Sequence, residues 1–385
     1  MLQEQNELQF TLTEIPDAHG ANIVAIGVGG GGSNMIAHLI ASRVHESVKL
    51  IAANTDIQHL KRSPAKIRIP LGEKLTRGLG AGMRPEIGRQ AAEENYDNII
   101  EALKGADIVF VSAGLGGGTG TGAAPIVAKA AQEVGALTIG VVTKPFMMEA
   151  PKRMKIAEEG LKELRGHCDS VIVIPNEKLL SIIGRNTGLK ESFREVDAIL
   201  ARAVNGISNV ILHTGENDMN TDFADLRTVM SNRGLALMGI GEAQGENAAL
   251  EAVKKAIESP LLDNLSINGS KGVLISYELH SDYPLIELNE ATSLIREAIS
   301  EDADMILGTR TIDDMPKDQI RVIIVATGFE KEVLNNTTTP PAQNPQAAAP
   351  FFQTIDAGSI AKISGGENFD INDLDTPTFM RRQRD

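Results

Sequence analysis

Between Ser112 and Pro125 the chain reads SAGLGGGTGTGAAP, with five glycines in the seven positions from Gly116 to Gly122. An apolar run, Ile108-Val109-Phe110-Val111, precedes it, and an alanine-rich helical stretch follows. Strand, glycine-rich turn and helix in that order make a phosphate cradle. Glycine lets the backbone approach an anion closely and aims successive N–H groups at it. Gly117 and Gly122 have the spacing of a P-loop, but Ala123 and Ala124 stand where lysine and Ser/Thr would be. A second stretch of this kind, GVGGGGSN from Gly27 to Asn34, follows another apolar run. Each loop feeds a helix N-terminus, worth about half a positive charge. Together they hold a polyphosphate without lysine, and Mg²⁺ completes the neutralisation. Two other readings stay open. Glycine also permits tight strand–helix packing. Gly27, Gly29 and Gly32 satisfy G-x-G-x-x-G, as in an NAD-dependent dehydrogenase with Asp56 as the ribose acid. The dehydrogenase reading leaves the second loop unexplained and supplies no hydride-transfer site.

The elements that must position these loops alternate along the chain. NIVAIGV, VKLIAAN, DIVFVSAG, LTIGVVT and SVIVIPN read as buried strands, rich in Val and Ile. PEIGRQAAEENYDNIIEALKG and KRMKIAEEGLKELRG have helical periodicity. The alternation predicts an α/β domain, Rossmann-like, with a parallel sheet covered by helices on both faces. Ligands of such sheets bind outside the carboxyl ends of the strands, where both glycine loops fall. From Gly188 to Ile211 one long helix is expected, with Leu189, Phe193, Val196, Leu200, Val204, Ile207 and Ile211 on one face. It would be on the order of 35 Å long, a strut rather than a crossover. A second, smaller α/β segment follows, with strands at LALMGIGEA, GVLISYEL, DMILGTRT and IRVIIVATG and helices at NAALEAVKKAIES and LNEATSLIREAI. From about Asn335 the chain turns rich in Pro, Asn, Thr and Ala, the composition of a disordered linker. It ends in INDLDTPTFMRRQRD, read either as a frayed tail or as a tethered partner-binding peptide.

Composition narrows the class. The chain has 385 residues, 42% of them apolar, and only 3% aromatic with no Trp, so Ile, Val, Leu, Ala and Met must build its cores. A net charge of −14 argues against a nucleic-acid partner. A single cysteine, Cys168, excludes an internal disulfide and thiolate clusters, and the seven histidines lack metal-ligand spacing. The N-terminus lacks the basic and apolar regions of a signal peptide, and no run approaches the roughly 20 apolar residues of a membrane span. A cytoplasmic protein is expected.

GGGTGTG at Gly116–Gly122, GVGGGGSN upstream and NTDFAD at Asn220–Asp225 downstream resemble the FtsZ family of bacterial tubulin-like GTPases. NTD, VTKPF, PNEKLL, MSNRG, NEA and IVATGF are similar to further stretches of that family, and DTPTFMRR resembles its tail motif. The resemblance covers roughly Ala21 to Gly328 plus the C-terminal peptide. It implies a GTP-binding domain over 21–187 after a flexible segment 1–20, and a central helix over 188–212. A GTPase-activating C-terminal domain over 213–330, a linker over 331–370 and a partner-binding peptide over 371–385 would follow. It implies that Gly29, Gly30, Gly31 and Gly32 wrap the phosphates of GTP or GDP, together with Gly116, Gly117, Gly118, Gly120, Thr121 and Gly122. Ser33, Asn34 and Thr119 would support the nucleotide, and the backbone of Ala81, Gly82 and Met83 would face the γ-phosphate. Glu149 would bind ribose and Arg153 the phosphates. Asn176 and Asp197 would read the base, with Phe193 stacked on it or, without the resemblance, packed in the core. A carboxylate accepts from both N1–H and the 2-amino group of guanine, and adenine offers no such donor pair.

For hydrolysis, Asp222 and Asp225 would polarise the attacking water, with Asn220 positioning it. Read without the resemblance, these acids equally suit helix capping. With the loops at one end of the long helix and NTDFAD beyond the other, the two would meet only between subunits stacked head to tail into a filament. Mg²⁺ is expected with the nucleotide, and K⁺ is a further candidate. Asp375, Pro377, Phe379, Met380 and Arg381 would bind division adaptors, so that the membrane is reached only indirectly. The expected place is the cytokinetic ring, beneath the inner membrane at the division site. A polymerising scaffold with weak hydrolysis is the alternative. Three departures from the family pattern stand out. Met83-Arg84 replaces a small residue and Asn or Asp, so Arg84 either adds a phosphate contact or faces solvent. Met148-Glu149-Ala150 replaces Phe-Glu-Gly. HTGENDMN is longer and more polar than usual.

Overall fold

A computed structural model describes residues 20–42, 44–183, 187–212, 219, 221–232, 234–262 and 267–329. The first half runs β1 (Ile23–Val28), α1 (Gly29–Ala41), β2 (Val48–Asn54), α2 (Ile57–Arg62), β3 (Ile67–Pro70), α3 (Glu73–Thr76), α4 (Pro85–Glu94) and α5 (Tyr96–Leu103). It continues with β4 (Ile108–Gly114), α6 (Thr119–Glu133), β5 (Leu137–Lys144), α7 (Pro151–Leu164), β6 (Ser170–Pro175) and α8 (Asn176–Leu179). The long helix α9 (Leu189–Leu212) and α10 (Phe223–Met230) lead to β7 (Gly234–Gln244), α11 (Ala248–Ile257), β8 (Gly272–Leu279), α12 (Leu285–Ala298), β9 (Asp304–Thr311) and β10 (Gln319–Thr327).

The strands form one sheet in the order β3-β2-β1-β4-β5-β6-β7-β10-β8-β9. From β3 to β7 neighbours are parallel, β10 runs antiparallel to both β7 and β8, and β8 and β9 are parallel. All six residues of β1 are buried, as expected for a strand covered on both faces. The strand order reverses between β1 and β4, and a crevice opens at the carboxyl ends of strands where that happens. One core fills the face beneath α1 and α9, and a second fills the opposite face beneath α4 to α7. A third lies under α11 and α12. In α9, Val196, Ile199, Leu200, Val204, Ile207 and Val210 join the first core together with Ile23 and Phe110 of the first half and Leu274 and Ile323 of the second.

Three local expectations change. The helix expected from Pro85 to Gly105 is two helices, broken at Asn95, whose Oδ1 accepts from the Gly72 N–H at 2.8 Å. The edge strand β3, four residues ending in Pro70, and the short α2 carry too little periodicity to be seen in the sequence. Helix α9 is part of the connection from β6 to its parallel neighbour β7, so it is a crossover as well as a strut. Among the described residues no helix is long and apolar enough to cross a membrane.

Candidate functional site

At the switch point β1 and β4 end side by side, with Val28 opposite Ala113. β1 passes directly into α1 at Gly29, so the first glycine stretch is the opening of that helix, whereas β4 reaches α6 through the turn 115–118. The loops touch: a Cβ on Gly29 (φ 73°) would lie 2.8 Å from the Gly120 N, and one on Gly31 would lie 3.1 Å from the Gly114 N. Neither α1 nor α6 has a side-chain cap on its first turn. Their leading N–H groups therefore lack the partner a capping residue would supply. A cavity of about 430 Å³ opens above them. Of the residues predicted from sequence, Gly30, Gly31, Asn34, Gly117, Gly118, Thr119, Gly120, Glu149, Arg153, Asn176, Phe193 and Asp197 line it.

The glycines divide by what surrounds them. At Gly32 a Cβ would sit 2.4 Å from the Ser112 carbonyl oxygen, and at Gly122 1.9 Å from that of Pro85. Gly32 serves the close packing of α1 on β4, the strand–helix packing of the alternative reading, and Gly122 serves the packing of helix α6 on helix α4. At Gly117 nothing lies within 4 Å of the added Cβ, and at Gly30 only the His59 ring at 3.9 Å. Neither needs a positive φ. Both line the cavity, so the space in front of them is what the protein leaves open.

Gly29, Gly32 and Ser33 in the first turns of α1, Gly116 in the turn after β4, and Thr121 and Gly122 in α6 do not line the cavity. Thr121 accepts through Oγ1 from the Gly116 N–H at 2.9 Å and so ties the second loop together. Ala81, Gly82 and Met83 stand beside it. A Cβ on Gly118 would meet Ala81 Cβ at 2.8 Å and the Arg84 N at 2.9 Å. Gly82 and Met83 take positive φ, 57° and 59°, and both are exposed. Arg84 is exposed at the N-cap of α4.

At the other end of the cavity stand Asn176, Phe193 and Asp197. Asn176 is 6% exposed, and its buried Oδ1 has no hydrogen-bond partner among the described residues. Burial pushes the Asp197 carboxyl up to about 7. Phe193 is 40% exposed and meets the buried Phe146 edge to face at 5.6 Å. An orphaned acceptor, a desolvated carboxylate and a half-open ring together describe a slot for a flat, polar ring bearing N–H donors. Glu149 accepts from the Phe146 N–H at 2.9 Å and pairs with Arg153, whose Nε reaches the Gly116 carbonyl at 3.5 Å. Ala150 takes φ 87° where the family pattern has glycine, a strained backbone for a residue with a Cβ.

Asp56 is not in the cavity. Its side chain accepts from the His59 N–H at 3.0 Å and caps α2, which removes the ribose acid of the dehydrogenase reading. Gly114, Leu115, Thr143 and Pro145 also line the cavity, as do Val196 and Leu200 from the apolar face of α9. Thr55, the middle residue of the NTD stretch, has its hydroxyl 2.6 Å from that of Thr119, and His59, which no motif marks, follows on α2. The adjacency of NTDIQH to the second strand was the available signal for these last two.

Asp222 and Asp225 stand at the start of α10, exposed, and Asp222 makes no capping hydrogen bond. The neighbouring Thr221 N–H donates to the Val210 carbonyl at 3.4 Å near the far end of α9. Val210 lies thirteen helical steps beyond Asp197, about 20 Å at 1.5 Å per residue. The carboxylates therefore do not reach the cavity of their own chain. Asn220, the linker 331–370 and the peptide 371–385 lie outside the described residues, as does all of the HTGENDMN loop except Met219, whose N–H donates to Thr309 Oγ1 at 2.8 Å. Among the described residues no cluster of three or more His, Cys, Asp or Glu is arranged to hold a metal ion.

Residues 22–184 match the model of the Tubulin/FtsZ family GTPase domain, and residues 234–330 that of the FtsZ family C-terminal domain. The chain is 47% identical to the cell division protein FtsZ of Helicobacter pylori, over all of this chain and 98% of that one. Among solved structures, an empty FtsZ dimer from M. jannaschii is 44% identical with a TM-score of 0.77, over 81% of this chain and 89% of that chain. A GTPγS-bound CetZ2 protofilament from Haloferax volcanii shares the fold at 20% identity and a TM-score of 0.70, over 82% of this chain and 96% of that one.

Proposed function

The chain belongs to the tubulin/FtsZ family, and from that premise we propose that the cavity between its two glycine loops binds GTP and that a second copy of the chain completes the active site. The protein is a GTPase that assembles with itself into filaments and acts in cell division. A scaffold with weak hydrolysis and a dehydrogenase are not favoured.

The carrying observation is that Gly30 and Gly117 line the cavity with nothing among the described residues requiring them to be glycine. In this reading the N–H groups of the two loops and the first turns of α1 and α6 receive the phosphates. The backbone of Ala81–Met83, packed on Gly118, faces the terminal phosphate. Arg153 leaves Glu149 to meet a phosphate, which frees the carboxylate to accept from the ribose hydroxyls. Asp197 accepts the two donors of guanine, Asn176 offers its unpaired oxygen, and Phe193 stacks on the base. With no acidic cage in the described residues, Mg²⁺ would ride on the phosphate oxygens and supply charge neutralisation, as it commonly does with nucleotides. K⁺ would play the same part more weakly.

Hydrolysis needs a water oriented in line with the terminal phosphate. Asp222 and Asp225 of a neighbouring copy, exposed and uncapped, would polarise it, with Asn220 helping position it. Such a contact is head-to-tail and propagates into a filament. The C-terminal residues Asp375, Pro377, Phe379, Met380 and Arg381 would bind adaptors that bring the filament to the membrane at the division site.

The base assignment is tested by Asp197→Asn. An amide accepts from N1–H and donates to a carbonyl at C2, so the variant should exchange GTP for xanthosine triphosphate as the better ligand. Equal weakening for both nucleotides in titrations would remove Asp197 from base recognition.

A further inference from the structure

The first glycine stretch is flanked by a histidine from α2. His59 lies on α2 with its backbone N–H bound by the Asp56 side chain at 3.0 Å. Its Nδ1 is 3.0 Å from Asn54 Nδ2, and its Nε2 is 3.2 Å from Asn34 Oδ1. The polarity of this chain is set by a backbone group. The Asp56 N–H donates to Asn54 Oδ1 at 3.2 Å, and an N–H can meet only the oxygen of that amide. Asn54, 2% exposed, therefore turns its NH₂ toward His59. Nδ1 must accept, so Nε2 carries the ring proton and donates to Asn34 Oδ1. With its oxygen engaged, Asn34 is left with its NH₂ free to donate, and Asn34 lines the cavity.

We propose that His59 is a positioning residue for nucleotide binding: it locks the Asn34 amide with its donor, not its acceptor, toward the cavity. The inference rests on the reading of that cavity as the nucleotide site. Without His59 the Asn34 amide is free to flip and to present its oxygen to an anionic or oxygen-rich ligand, which repels it. The neutral Nε2–H tautomer is the form that does this, and the buried Asn54 selects it.

The test is a double-mutant cycle read by GTP affinity of the full chain, with thermal stability of the nucleotide-free protein alongside. His59→Leu keeps the volume and removes both hydrogen bonds. His59→Gln can accept from Asn54 and donate to Asn34 as the imidazole does. The expected result is an affinity loss of about tenfold for His59→Leu, the scale of one hydrogen bond to a charged ligand. His59→Gln should retain near wild-type affinity. In an Asn34→Ala background, His59→Leu should cost nothing further. Unchanged affinity in His59→Leu, or the same loss with and without Asn34, overturns the proposal. A wild-type chain that binds no GTP, or Asn34→Ala binding as tightly as wild type, instead overturns the placement of the nucleotide on which it rests.

Discussion

Asp197 carries two burdens that oppose each other. Its carboxyl is raised from an ordinary 3.8 to about 7 by burial. Between about pH 4 and pH 7 the unfolded chain therefore holds this group ionised while the empty folded chain keeps it protonated. The group's penalty on folding grows with pH across that window and is complete above about 7. Asp197→Asn should accordingly raise the melting temperature of the nucleotide-free protein at pH 7.5 and change it little at pH 4. Under the proposed base contact guanine needs the ionised form, so GTP binding should release a proton below pH 7, and affinity should fall as pH drops from 7.5 to 6, up to tenfold per unit. The fall should be absent in Asp197→Asn, and an identical pH profile in both proteins would show that another group titrates. The sequence exposed Asp197 only through its spacing from Phe193 and its family pattern. Its desolvation is a product of tertiary burial and could not be read from neighbours along the chain. For His59 the sequence offered only its closeness to the second strand, since its partners Asn54 and Asn34 come from different elements.

At the scale of elements, the glycine loops were legible because strand, glycine and helix follow one another without interruption. The sequence could not say which glycines serve the ligand and which serve packing, because that depends on what a Cβ would meet. Gly122→Ala should force α4 away from α6 and cost about 3 kcal/mol or more by overpacking against the Pro85 carbonyl. Gly117→Ala should leave the denaturation midpoint unchanged and weaken GTP binding about tenfold or more. Comparable loss of stability in both would mean that Gly117 is a packing glycine too. Strand β3 and the break at Asn95 were not legible, one being too short and the other set by the distant Gly72 N–H. The second half holds a buried acid that no motif announced. Glu278, 7% exposed, accepts from Arg321 at 2.7 Å, from Arg310 at 3.4 Å and from Asn209 of α9 at 3.2 Å. Arg321→Leu should cost about 3 kcal/mol in urea denaturation by leaving that acid underpaired. Replacing Arg321 and Glu278 together by apolar residues should cost less, and a larger loss in the double variant would contradict this account of the pair.

At the scale of the whole molecule, α9 sets the problem that assembly solves. It ties the first core to strands of both halves and holds Asp197 and the Asp222 region about 20 Å apart. If Asp222 and Asp225 orient the attacking water, as proposed, that distance requires a site shared between two copies. The decisive measurement is GTP turnover per subunit across a range of protein concentration, with light scattering recorded in the same samples and Asp222→Ala as the control. Turnover should be near zero at high dilution, rise with scattering above a threshold, and be lost in Asp222→Ala even where that variant scatters. Full turnover per subunit at high dilution, where no scattering is seen, would place catalysis within one chain and contradict the shared site.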